Sequence, residues 1–433
     1  MNVPLLFFLG LGLLEAECRC FLNRTEEHCV CYQLSQKSAS SIIQCLAATV
    51  VEFWGGELEK YTNFPITNLD PSAIEMLQSL IIRKIIFRDL LVPEVLIARV
   101  LRFFSYTQVK ELVFDSCIFE GRGNWGETAV WNLPILSLHF HNVTTAPLTD
   151  REQDFSSLSS WLENLQELSV TSSHVTSLPC GIGQVFRALR YLDVAHNTLG
   201  DESLMSAFCK GAFPQLQILS LQHNNLTSYH TVCKGMQLLH DLQHLDLSQN
   251  KLTADLFTSC QWPASLRIFN LSDTGLSEIL TPLPSSLEVL DLTFNHLHGV
   301  DISFSSLKKL FLSKNMLQAV PCIRNCPMLE TLDLDNNLIT ELPWDDMKLL
   351  EHLQDVAAAN NPYDCSCSGA GGLQALAGRG HLGQGWPQNY TCHSPPGYQG
   401  RLVKDVPVSV LQCNSAAVIV PLCIVLILLG AAG

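Results

Sequence analysis

The 17 cysteines of this 433-residue chain are the residues whose type and spacing could do chemistry, and two chemistries compete for them. Cys20, Cys29, Cys31 and Cys45 crowd one end, while Cys365, Cys367, Cys392 and Cys413 crowd the other. Cys-x-Cys thiolates can hold zinc, but in an oxidising compartment they pair as disulfides. The compartment therefore decides between them. Met1 to Glu17 carries an apolar run from Val3 to Leu14 followed by Leu14-Glu15-Ala16, which fits a secretory signal peptide over residues 1–17. Sequons at Asn23, Asn142, Asn225, Asn270 and Asn389 agree with passage through the secretory pathway. Disulfides are thus expected and no metal is. Four cysteines at the first end allow three pairings, of which Cys20 with Cys31 and Cys29 with Cys45 is expected. Cys180 and Cys209, like Cys233 and Cys260, are spaced to bridge neighbouring segments. Cys322 and Cys326 form another candidate pair, and Cys18 and Cys423 have no evident partner.

Enzymatic chemistry finds little footing, and no cofactor is implied. Gly121-Arg122-Gly123-Asn124-Trp125-Gly126 matches a dinucleotide-binding spacing, but no hydrophobic helix pattern follows it. The 14 histidines scatter, with His139 and His141 at strand period and His296 and His298 about one turn, and no carboxylate or cysteine set joins them at metal spacing. A nucleophile elbow and a phosphate-binding loop are both missing from the sequence.

The elements that must position any site are set by a repeat. Leu287, Leu290, Leu292, Asn295 and Leu297 spell Leu-x-x-Leu-x-Leu-x-x-Asn-x-Leu in full. Copies begin at Ile82, Val109, Leu133, Leu165, Leu189, Leu216, Leu242, Leu266, Leu287, Leu307, Leu329 and Leu353, at steps of about 20 to 32 residues. This pattern is the leucine-rich repeat. Each copy is a short strand and a turn whose inward leucines are buried only when copies stack. The expected fold is an α/β leucine-rich repeat solenoid, a horseshoe of about 11–12 repeats with a parallel concave β-sheet and disulfide-stapled N- and C-terminal caps. Asn197, Asn224, Asn250, Asn295, Asn315 and Asn337 occupy the amide position, where an inward side chain can bond the turn's unpaired backbone. Cys117 and Thr274 stand in for it. The longer early steps leave room for convex-side helices such as Pro93 to Phe104. The expected parts are residues 1–17 (signal), 18–81 (N-terminal cap and pocket region), 82–360 (repeats), 361–413 (cysteine-rich cap) and 414–433 (hydrophobic tail).

Charge narrows the ligand classes. The formal net charge of −15 argues against nucleic acid. Between Ile81 and Lys110 the balance reverses, with Arg83, Lys84, Arg88, Arg99, Arg102 and Lys110 against Asp89 and Glu94, in a very apolar stretch. Apolar walls beside cations suit a ligand with fatty chains and phosphates, since each buried methylene contributes roughly 0.8 kcal/mol. These side chains also fit the plain core and solvated face of early repeats. Polar positions Gln166, Glu167, Ser169, Gln217, Gln243, His244, Asp246, Lys308 and Lys309 keep open a concave face that binds a folded protein.

Leu91-Val92-Pro93-Glu94-Val95-Leu96, Val100 to Leu112, Val51 to Gly56, the cap cysteine spacing and Asn414-Ser415 together resemble the monocyte differentiation antigen family of lipopolysaccharide co-receptors, over most of the chain. The resemblance implies a Toll-like receptor accessory protein of innate immunity. Its N-terminal pocket would take lipopolysaccharide and other microbial lipids from lipopolysaccharide-binding protein and pass them to a Toll-like receptor complex. Carried onto this chain, the pocket takes in Val51, Phe53, Leu58, Phe64, Ile66, Leu69, Ile74, Ile85, Phe87, Leu91, Val95, Leu96, Val100 and Leu101, with Arg83, Lys84, Arg88, Arg99 and Arg102 at its rim. The family also implies a homodimer. Asn361 to Cys413 instead resembles the C-terminal cap of leucine-rich repeat receptors, which implies Cys365 with Cys392 and Cys367 with Cys413. The apolar run from Ala416 to Gly433 meets membrane; with no basic residue after it, a glycosylphosphatidylinositol signal with attachment at Asn414 is favoured over a short transmembrane helix. The expected location is the outer face of the plasma membrane, with a secreted form alongside.

Overall fold

Leucine spacing becomes parallel strands here because only stacking buries the inward side chains. The computed structural model describes residues 19–34, 39–56, 70–93, 96, 104–120, 134–144, 163–253, 260–383 and 385–408. The chain divides into two compact units, Met1–Leu226 with Thr231–Leu242, and Thr227–His230 with Gln243–Gly433.

In the first unit β1 (Arg19–Asn23) and β2 (His28–Leu34) form an antiparallel hairpin. From β2 the order is parallel through β3 (Val50–Gly56), β4 (Lys84–Arg88), β6 (Glu111–Asp115), β8 (Ser137–His141), β9 (Glu167–Thr171), β10 (Tyr191–Asp193) and β11 (Ile218–Ser220). On the outer side β5 (Leu91–Pro93) pairs in parallel with β7 (Ile118–Glu120). Pro93, expected to open a helix, therefore ends a strand, and most of 94–103 lies outside the described residues. Two further expectations shift. Ile135, fully buried, leads the repeat of β8 in the place expected of Leu133. And β3, inside the segment expected as cap, is already a repeat strand, led by fully buried Ala48 and Val51.

Beneath this sheet the Cys20–Cys31 and Cys29–Cys45 disulfides close the open end as expected, packed with Ala48 and Val51. Inward aromatic residues then line up across four strands. Phe53, Phe87, Phe114 and Phe140 stack at 5.6, 5.2 and 5.4 Å between ring centres. The Cys180–Cys209 bridge forms, and Cys233 and Cys260 are each disulfide-bonded.

In the second unit β12 (His244–Asp246), β13 (Ile268–Asn270), β14 (Val289–Asp291), β15 (Lys309–Phe311), β16 (Thr331–Asp333) and β17 (Asp355–Ala357) run parallel, one residue triplet opposite the next. Their central residues, from Leu245 to Val356, are fully buried. The expected amide ladder is present. Asn315 Nδ2 donates to the Leu292 and Leu312 carbonyls, and its Oδ1 accepts from Leu297 N. Asn337 and Asn361 repeat the pattern one and two turns on. Asn361, expected to open the cap, is thus a further rung. The residue before each rung (Phe294, Lys314, Asn336, Asn360) sits in the left-handed region at φ 55–59°, a conformation that costs about 1 kcal/mol or more and that the rung's bonds offset.

A distinct cap follows, where β18 (Tyr363–Asp364) pairs with β19 (Cys392–Ser394) beside the Cys365–Cys392 disulfide. Cys413 lies outside the described residues, so its expected bond to Cys367 does too. The cap helix Cys367–Gly378 lies close on the preceding turn, and a Cβ at Gly372 would stand 2.7 Å from the Leu342 carbonyl oxygen. Gly372→Ala should therefore cost about 1–3 kcal/mol by overpacking, against the roughly 1 kcal/mol that alanine gains in an open helix. Thermal unfolding checks this, and an equally stable variant would refute the close approach. Cys322 and Cys326, a candidate pair, are both free thiols, the first exposed and the second buried.

Candidate functional site

Strand alternation divides β3 and β4 into two faces. Val51, Phe53, Ile85 and Phe87 point to the disulfide and phenylalanine core, while Glu52, Trp54, Lys84, Ile86 and Arg88 take the opposite, sheet-surface side. The expected pocket residues in these strands therefore share one inward face. Val51, Ile85, Phe87 and Leu96 are buried, whereas Phe53, Ile74 and Leu91 are half-buried. Leu58, Phe64, Ile66, Leu69, Val95, Val100 and Leu101 lie outside the described residues, as do Arg99 and Arg102.

The rim cations turn out to have other work. Lys84 Nζ lies 2.7 Å from Glu111, and Arg88 Nε lies 2.9 Å from Glu52 and 3.5 Å from Asp115. Arg88 also sits 5.2 Å from the Trp54 ring centre. Glu52, only 6% exposed, further meets His28 Nε2 at 3.1 Å and accepts from the Trp54 indole N–H. Arg88 Nε approaches it as an ion pair, and neither Arg88 Nε nor His28 Nε2 has hydrogen-bond alignment. A carboxylate this buried needs such partners, so Arg88 is its structural counter-ion, and Lys84 is engaged by the half-buried Glu111. Arg83 alone of the described rim cations is exposed at the strand entry. Sequence could not separate these, because the partners lie one repeat away in register.

The same surface continues across the first unit. His139 Nε2 lies 3.7 Å from Glu111, Ser137 donates to Glu167 at 2.9 Å, and Tyr191 donates to Asp193 at 3.3 Å. Burial, then Asp193, pushes Tyr191 up to about 12. Burial holds His139 below its ordinary 6.5, with Glu111 and Glu167 pulling the other way. A folded value under the unfolded one means the unfolded chain takes the proton first, so the neutral imidazole's contribution is present above pH 6.5 and is lost as pH falls through the folded value. Stability should therefore drop as pH falls below 6.5, and His139→Gln should flatten that drop in denaturant unfolding. An unchanged slope would remove His139 from the account.

Among the polar concave positions expected in the second unit, Lys308 is paired with Glu288 at 2.8 Å, and Asp246 accepts from Asn270 at 3.0 Å. Of the sequons, Asn23, Asn142, Asn225 and Asn389 are exposed, and Asn270 is half-buried in β13. Cys117 occupies its rung buried, with its thiol 3.4 Å from the Phe87 carbonyl and pushed up to about 11 by burial, which leaves it inert. Asn414 and the tail lie outside the described residues, and no helix among the described residues is long and apolar enough to cross a membrane.

Models of the leucine-rich repeat match residues 285–339 and 187–206. Toll-like receptor 2 of Bos indicus is 30% identical over 348 residues, 78% of this chain and 44% of the receptor. The receptor of Boselaphus tragocamelus is 29% identical over 357 residues, 80% of this chain and 45% of the receptor. The chain is a leucine-rich repeat protein related to the Toll-like receptors. It spans less than half the length of those relatives. Among solved structures, the mouse RP105/MD-1 complex matches this leucine-rich repeat protein with TM-score 0.53 at 18% identity, over 83% of this chain and 63% of the other. A complex of Latrophilin 3, Unc5D and FLRT2 matches with TM-score 0.50 at 18% identity, over 77% and 91%. Both likenesses concern the fold. Toll-like receptor relationship and disulfides together indicate an extracellular or cell-surface protein.

Proposed function

We propose that this leucine-rich repeat protein is a cell-surface pattern-recognition co-receptor that takes lipopolysaccharide and other microbial lipids into the inward face of β3 and β4 and delivers them to a Toll-like receptor complex. One observation carries the reading. Three of the four inward side chains there are less closed over than those further along the unit: Phe53 is half-buried and Ile85 and Phe87 keep 7% and 9% of their surface, although Val51 keeps only 3%, where Leu138 and Phe140 keep 4% and 3% and Leu192 and Leu219 keep 0%. Acyl chains would complete that burial at roughly 0.8 kcal/mol per methylene. Arg83 would meet a head-group phosphate, and lipopolysaccharide-binding protein would act as the donor. A lipid anchor at Asn414 would hold the protein on the outer face of the membrane, leaving signalling to the receptor.

The rival reading is a receptor or adhesion protein with a folded ligand on the concave face. The strip from Lys84 to Asp193 favours it, being polar and ordered by its own ion pairs. Native mass spectrometry of the secreted protein titrated with lipopolysaccharide and with its deacylated form separates the two. Saturable binding that needs the acyl chains supports the lipid reading. Equal binding of both forms, or none, transfers the case to the concave face.

A further inference from the structure

At the first strand of the sheet an aromatic ring is left in water with no fold-level reason. Phe21 is 58% exposed, the largest exposure of any aromatic side chain among the described residues. It lies in β1 on the same face as Asn23, since residues two apart in a strand point the same way, about 7 Å apart. Asn23 is exposed and begins the sequon Asn23-Arg24-Thr25, at the turn that leads to β2. Its side chain is already folded into that turn: Oδ1 accepts from Thr25 N at 3.1 Å and from the Thr25 hydroxyl at 2.7 Å, and Nδ2 donates to the exposed Glu26 carboxylate at 2.9 Å. The Phe21 ring is propped from the other side by Tyr32, itself 45% exposed, in an edge contact at 6.3 Å and 63°.

We propose that Asn23 carries an N-linked glycan whose first N-acetylglucosamine packs on the ring of Phe21, closing the open edge of the solenoid. Transfer from a polyprenyl-diphosphate-linked oligosaccharide joins Asn23 Nδ2 to the anomeric carbon. That carbon's bond to the diphosphate breaks, the diphosphate leaves with the electron pair, and one amide proton passes to base. The face of the sugar that bears its C–H bonds is weakly positive and lies against the negative π face of the ring. Burial of an exposed aromatic by a covalently tethered sugar has almost no association entropy to overcome. It also blunts an edge strand, which otherwise offers its unpaired backbone to other chains.

The chain contains its own control. Phe140-His141-Asn142-Val143-Thr144 repeats the spacing of Phe21-Leu22-Asn23-Arg24-Thr25. Yet Phe140 is 3% exposed and stacked on Phe114 in the core, so a sugar on Asn142 has no ring to meet.

The test uses the secreted protein with its glycans trimmed to a single N-acetylglucosamine. In proton NMR spectra the sugar on Asn23 should show ring-current upfield shifts that vanish in Phe21→Ser, and the sugar on Asn142 should show none. Phe21→Ser should lower the melting temperature by about 2–4 °C in the glycosylated protein and by much less in an Asn23→Gln background. An unoccupied Asn23, an unshifted sugar, or an equal loss in both backgrounds would overturn the proposal. The spectrum of the unmutated protein decides the matter even if a variant fails to fold.

Discussion

Replacing Asn295 by leucine is expected to destabilise the second unit by about 3–5 kcal/mol. Asn295 is 2% exposed, and its side chain serves two repeats at once. Oδ1 accepts from Thr274 N at 3.1 Å, Leu276 N at 3.0 Å and the Thr274 hydroxyl at 3.1 Å. Nδ2 donates to the Leu271 and Leu292 carbonyls at 2.9 and 3.0 Å. Leucine fits the volume but leaves the Thr274 and Leu276 N–H groups buried and unpaired, each at about 1–3 kcal/mol when water cannot reach it, while the Leu271 and Leu292 carbonyls lose one of two donors and keep the Thr274 hydroxyl and Asn315 Nδ2. Asn270, half-buried on the sheet surface, supplies the comparison: Asn270→Ala should stay within about 1 kcal/mol. Thermal unfolding and secretion yield measure both. An Asn295→Leu protein that melts within a degree or two of the parent would show that the ladder is ornamental.

Why this ladder could be read from sequence, and the sheet-surface network could not, is a matter of range. A rung is written by neighbours within one repeat, so Leu-x-Leu-x-x-Asn places Asn224, Asn295 and Asn337 without knowledge of the rest. Caps were legible for a similar reason, since cysteines at the two ends of a solenoid have few other uses. Where the local code thins out, reading fails: Ala48, Val51 and Phe53 fill the three leading positions of a repeat with no leucine among them, and Leu133 outbid Ile135 only because it is leucine. Pairings such as Arg88 with Glu52 depend on which residues fall opposite across a loop of variable length. For Lys84 and Arg88, composition suggested a cationic rim, and register turned them into counter-ions. Likewise Phe21 and Phe140 sit in the same five-residue spelling, and only the strand's orientation separates a ring in water from a ring in the core.

The phenylalanine stack of the first unit gives the second large expectation, and it bears directly on lipid binding. Phe114 is 4% exposed, stacked between Phe87 at 5.2 Å and Phe140 at 5.4 Å, with Phe119 edge-on at 5.4 Å. Phe114→Ala should cost about 3–5 kcal/mol, because removing a ring from the middle of a stack leaves a cavity that parallel strands on either side cannot collapse. Phe53 ends the same stack and is only half-buried, so Phe53→Ala should cost nearer 1–2 kcal/mol. A charge separates the two roles more sharply. Phe53→Asp buries a carboxylate if the position is closed core, and secretion should then fail as it would for Phe114→Asp. If the position instead faces a space that lipid fills, Phe53→Asp should be secreted in near-normal yield and should no longer take up lipopolysaccharide, while Phe114→Asp is not secreted at all. Failure of both variants to leave the cell would mean the stack is sealed at both ends, and the lipid reading of β3 and β4 would fall with it.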